Sequence, residues 1–170
     1  SLGVKNWQAE DTLNGKTFIN SKVGRKYFGG DIQLAIKSKL GTTSIRGEYI
    51  FGEQPAISSD SKSVNSLPTS LDTYIRKFNG GYVYLIQRIG KTKSEIAFKY
   101  EWYDPNTKIT ASDLNGKNGM KEGEIKYTAI DLGYNLYLTQ NVKFLFHYNM
   151  VSNEVAQIKG YTRDLKDNIF

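Results

Sequence analysis

The sequence predicts an all-β chain: an antiparallel β-barrel of the transmembrane kind, held here as an incomplete portion of about six to eight strands. Three observations predict it. Runs of nine or more residues alternate apolar and polar side chains with period two. The connections between them are short, then long, then short again. Aromatic residues gather where the strands meet the long connections.

The first strand spans 31–40, DIQLAIKSKL, with Ile32, Leu34, Ile36 and Leu40 on one face and Asp31, Gln33, Ala35, Lys37 and Lys39 on the other. A short turn is expected at about 41–42. The second strand, 43–51, sets Ile45, Gly47, Tyr49 and Phe51 against Arg46 and Glu48. Residues 52–79 carry Pro55, Pro68 and many serines, which is loop composition. The third strand, 80–89, has apolar residues on both faces. Its facing stays open, with Val83, Leu85 and Ile89 outward as one choice.

A turn at 90–93 leads to the fourth strand, 94–103. There Ile96, Phe98, Tyr100 and Trp102 oppose Glu95, Ala97, Lys99 and Glu101. The connection 104–123 is rich in turn residues. The fifth strand, 124–138, is expected to be the longest. A turn at 139–141 precedes the sixth, 142–150, in which Val142, Phe144, Phe146, Tyr148 and Met150 share a face. A third polar stretch covers 151–166, and 167–170 opens another alternation. All 170 residues are read as part of one barrel domain.

Strands in water-soluble proteins are usually about five or six residues long, whereas about 9 to 11 are needed to cross lipid at a tilt. Alternating connection lengths place every long loop at one end, as short periplasmic turns and long external loops do. Six strands are too few for a single-chain barrel, which starts at about eight. Further strands are therefore expected from outside this sequence or from other chains.

Bulk properties exclude several classes. No apolar window of about eighteen residues exists, so a transmembrane helix is excluded. No cysteine is present, which removes disulfides and thiolate metal sites. Ser1 is not followed by a charged segment and an apolar run, so no signal peptide is expected within the sequence; either it was removed or the sequence is a fragment. The formal charge of +6 suits either an anion-favouring lumen or, in a soluble protein, an acidic partner.

RKYFGGDIQLAIKSKLGTTSIRGEYIFGEQP, FNGGYVYLIQRIG, KYEWYDPNTKI, IKYTAIDLGYNLYLTQNVKFLFHYNMV and GYTRDLKDNIF resemble the C-terminal half of Bacteroidetes outer-membrane porins. The likeness is to the phosphate-selective porin O and P group and covers most of residues 25–170. It implies a trimeric pore in the bacterial outer membrane, in contact with lipid or lipopolysaccharide, passing small hydrophilic solutes and anions such as phosphate. Nucleic acid is not expected as a partner.

Lys37, Lys39, Arg46, Lys99 and Lys143 are the candidates for a basic, water-filled side, where fixed positive charge lowers the barrier to anions. Lys126 falls in register with the other face of its strand. The same lysines and arginine also read as ordinary solvated charges balanced by Asp31, Glu48, Glu95, Glu101 and Asp131. The outer aromatic belt is expected to comprise Tyr27, Phe28, Tyr49, Phe51, Trp102, Tyr103, Tyr127 and Tyr148, since such rings favour the lipid–water boundary. His147 is the sole histidine, and nothing in the spacing brings Glu48, Asp131 and His147 together. No catalytic constellation, metal site or cofactor is expected. Two other readings stay open: a non-conducting barrel that carries surface loops, and a soluble sandwich or barrel that binds a ligand.

Overall fold

The computed structural model describes residues 8–11, 16–19, 25–57, 73–114, 122–164 and 167–169. The chain is all-β. β1 (Gln8–Asp11) and β2 (Lys16–Ile19) form a small hairpin. β3 (Lys26–Ser38), β4 (Gly41–Ile57), β5 (Thr73–Arg88), β6 (Ser94–Asp104), β7 (Tyr127–Tyr137) and β8 (Lys143–Asn153) follow. These six pair in chain order, each antiparallel to the next. The small hairpin meets the start of β5 through one parallel pair, Ala9 with Thr73, and no sequence signal foreshadowed it.

The sheet is open. Among the described residues β3 is paired on one side only, and the far side of β8 meets a single bridge, Asn149 with Ile169. That bridge lies in the segment where the sequence begins a new alternation.

Several expected boundaries move. The first turn is Lys39–Leu40, not 41–42, because Ser38 pairs directly with Gly41. Gly41 has φ +115°, and a Cβ there would lie 2.0 Å from the Arg88 carbonyl oxygen, so glycine is required on two grounds. β4 and β5 run well into the segment expected to be loop. Gly52–Ile57 pairs with Thr73–Phe78, leaving 58–72 of the expected 52–79 loop outside the described residues. Pro55 sits inside that ladder. The longest strand is β4, with 17 residues, and not the fifth of the large strands. Glu124 and Ile125, expected in that strand, are instead buried in the connection before it.

The three short turns lie side by side and bond to one another. The Gly90 amide donates to the Leu40 carbonyl at 2.7 Å, and the Tyr137 amide to the Lys93 carbonyl at 2.8 Å. Lys93 Nζ adds a bond to the Leu138 carbonyl at 2.8 Å. At the opposite end the long connections build a small core of their own. Ile109, Leu114, Ile125 and Ala156 are buried together, with Ile158 and Tyr161 packed against them. The Thr107 amide donates to the Lys77 carbonyl at 2.7 Å, tying this cluster to β5. Arg76 and Glu124, both fully buried, form an ion pair between β5 and the connection.

Candidate functional site

The register decides which side chains share a face. One transverse row reads Leu34, Ile45, Leu85, Phe98, Leu132, Tyr148, and the row beside it Ile32, Gly47, Val83, Tyr100, Ile130, Met150. The facing left open for 80–89 is thereby fixed: Val83 and Leu85 lie with the apolar set. This apolar face is the exposed one. Ile32 is 57% exposed, Val83 46%, Phe98 39% and Phe146 53%. The other face is the more enclosed across β5–β7, whereas β3 is exposed on both faces. The other face carries the charges, yet Ala97 and Ala129 on it are only 1% and 3% exposed, and Asn135 is buried. A soluble protein has the reverse arrangement.

The apolar face has defined limits. At the long-connection end it is bounded by the row Lys26, Glu53, Lys77, in which Glu53 pairs with both lysines at 3.8 and 3.6 Å. Lys39, Lys91 and Lys93 stand at the turns of the other end. On β4 the apolar run from Thr43 to Phe51 is about 27 Å along the strand, or about 20 Å at a tilt of ~40°.

The aromatic residues expected in one belt form two ribbons on opposite faces of the sheet. On the apolar face Phe28, Phe51, Tyr49, Trp102 and Tyr100 form a continuous ribbon with ring centroids 5.6–6.2 Å apart. The ribbon crosses β5 at Gly81, where a Cβ would lie 2.8 Å from the Trp102 ring. Tyr27, Tyr103 and Tyr127 are on the opposite face, contrary to expectation, because they are odd-numbered neighbours of apolar-face residues. With buried Phe78 they form a second ribbon at 5.4–6.2 Å spacing. Tyr148 faces the apolar side but lies mid-strand, since β8 continues to Asn153. It does not belong to a belt.

The basic candidates also separate. Lys37 pairs with Thr42 and Lys143 with Tyr137, both beside the short turns. Lys39 is in the turn itself and lines neither face. Lys126 precedes β7 and is exposed. Arg46 and Lys99 share the central row Gln33, Arg46, Tyr84, Lys99, Asp131, Asn149. Lys99 is paired with Glu101 and lies 5.5 Å from the centroid of the Tyr82 ring. Its charge is therefore partly neutralised.

Around this row lies a recess of about 400 Å³ lined by Arg46, Tyr82, Tyr84, Lys99, Asp131, His147 and Asn149. His147 Nδ1 is 2.8 Å from Asp131 Oδ1, and Nε2 is 3.2 Å from Asn135 Oδ1. Sequence spacing gave no sign of this contact. It arises because Gly133 pairs with His147, and a Cβ on Gly133 would lie 2.4 Å from the imidazole. The glycine leaves the ring room to lie across β7. Glu48 sits in the neighbouring row and does not join them. Both imidazole nitrogens lie within hydrogen-bond distance of neighbouring oxygens, which fixes the position of the ring. Among the described residues no group of three or more histidine, cysteine or acidic side chains is placed to hold a metal ion.

No family model, curated protein or solved structure matches the chain.

Proposed function

We propose that this sheet is part of the wall of a bacterial outer-membrane pore through which small hydrophilic solutes diffuse. One observation carries the reading: a six-stranded sheet whose apolar face is exposed while its charged face is the more enclosed one across β5–β7. In lipid that inversion is the stable arrangement, and in water it leaves a large apolar surface uncovered. The ribbon Phe28–Phe51–Tyr49–Trp102–Tyr100 supports it by standing just inside the charged boundary row, where aromatic rings favour the lipid interface. The strand edges left open on β3 and β8 require closure, because an unpaired backbone edge is costly in lipid. The likeness to the porin O and P group agrees with this reading and is part of the proposal.

The test is purification followed by reconstitution of the full chain. Dependence on detergent and discrete single-channel conductance are the expected results. A monodisperse protein in plain buffer would favour a soluble sandwich that covers the apolar face with a second sheet. A detergent-dependent protein without conductance would leave a barrel but sink the pore.

A further inference from the structure

The polar face is charged in bands, and the bands run across the strands. Near the short turns stand Lys37, Arg88 and Lys143, with Lys39, Lys91 and Lys93 in the turns themselves and Glu95 as the only acidic group among them on the face. Glu95 is opposite Arg88 and accepts a bond from Tyr137 Oη at 2.8 Å. The central row is mixed, with Arg46, Lys99 and Asp131. The next row toward the long connections reads Asp31, Glu48, Tyr82, Glu101, Ala129, Val151 and carries three carboxylates and no base. Asp31 and Glu48 are directly opposite each other across the strand pair, a like-charge placement that costs stability. Lys99 neutralises Glu101 and leaves those two carboxylates uncompensated within their row.

Lys37 lies six positions beyond Asp31 on β3, which is about 20 Å along the strand. The Debye length is about 10 Å at 0.1 M salt, so the two bands act as separate zones. At 1 M it is about 3 Å, and both are screened.

Resting on the pore reading above, we propose that this pore rectifies ionic current, because the part of its wall formed by this sheet is basic at the short-turn mouth and acidic toward the long-connection mouth. The acidic band concentrates cations and the basic band concentrates anions. When the solution on the long-connection side is positive, both populations are driven toward the middle of the pore and conductance rises. When the polarity is reversed, both are drawn out and conductance falls. The pore accordingly has no single ion preference along its length, and the lysines do not act as a uniform anion filter.

The experiment is a current–voltage curve of the full chain inserted in one orientation in a planar bilayer, in symmetric KCl. Rectification of about two-fold is expected at 0.1 M and a nearly ohmic curve at 1 M. The variant Lys37→Gln/Arg88→Gln/Lys143→Gln removes the three basic groups on the face, and Asp31→Asn/Glu48→Gln removes the two uncompensated carboxylates while relieving their like-charge contact. Each is expected to bring the 0.1 M ratio toward one. An ohmic wild-type curve at 0.1 M, or a ratio unmoved by both variants, overturns the inference and leaves the pore standing. Absence of any conductance overturns the pore reading and this inference with it.

Discussion

Val83 and Val142 offer a matched pair of perturbations. Val83 is on the apolar face and Val142 stands just before β8, and their exposures are nearly equal, 46% and 48%. They differ in depth. Val83 pairs with Gly47, midway between the turn at Gly41 and the charged row at Glu53. Val142 lies beside the short turn that precedes β8. In lipid an arginine at the midplane costs about 2–4 kcal/mol and near the interface about 0–1 kcal/mol. Val83→Arg should therefore shift the folding equilibrium by about 30- to 1,000-fold, and Val142→Arg by no more than about five-fold. In water both are surface substitutions within about 0.5 kcal/mol of wild type. The assay is reversible urea unfolding in vesicles, read by tryptophan fluorescence. Equal, small effects at the two positions would refute the assignment of this face to lipid.

Three further outcomes follow from local geometry. Glu124→Gln should remove the negative charge paired with the fully buried Arg76 guanidinium and destabilise the connection cluster by up to about 3–5 kcal/mol, visible as new protease cleavage between β6 and β7 while the sheet stays folded. Gly133→Ala should drive a Cβ into the His147 ring and break its contact with Asp131, at a cost of about 1–3 kcal/mol, and should move the imidazole NMR signals; unchanged signals would contradict the packing. The Asp113 carboxylate accepts bonds from the Thr110 amide and hydroxyl, both at 2.8 Å, which holds its pKa below the ordinary 3.8. Its contribution to the turn is therefore complete above pH 3.8 and lost as pH falls through the lowered folded value, which amide exchange at Asp113 and Leu114 would report.

The faces of five of the six large strands were legible because period-two alternation is a local signal. The facing of 80–89 was not, since one face carries Tyr82, Tyr84 and Ile86 and the other Val83 and Leu85, all aromatic or apolar; only pairing with β4 and β6 decides it. Loop composition hid the extension of β4 and β5, because Gly52 and Pro55 suppress a strand reading while the partner Thr73–Phe78 restores the ladder. The aromatic belt was read by nearness to long connections alone. Alternation places Tyr27 and Tyr103 behind Phe28 and Trp102 and splits the belt in two. The recess around His147 and the core of Ile109, Leu114, Ile125 and Ala156 depend on residues far apart in sequence, and no local pattern encodes them.

The sequence contains no cysteine, so single cysteines can be placed along β6 and spin-labelled one at a time in vesicles. The decisive measurement is the relative collision rate of each label with oxygen, which partitions into lipid, and with a nickel chelate, which stays in water. Labels at Ile96, Phe98 and Tyr100 should favour oxygen, and labels at Glu95, Lys99 and Glu101 should favour the chelate, with a period of two. Chelate access at Ile96, Phe98 and Tyr100 equal to that at their neighbours would contradict a lipid-facing sheet.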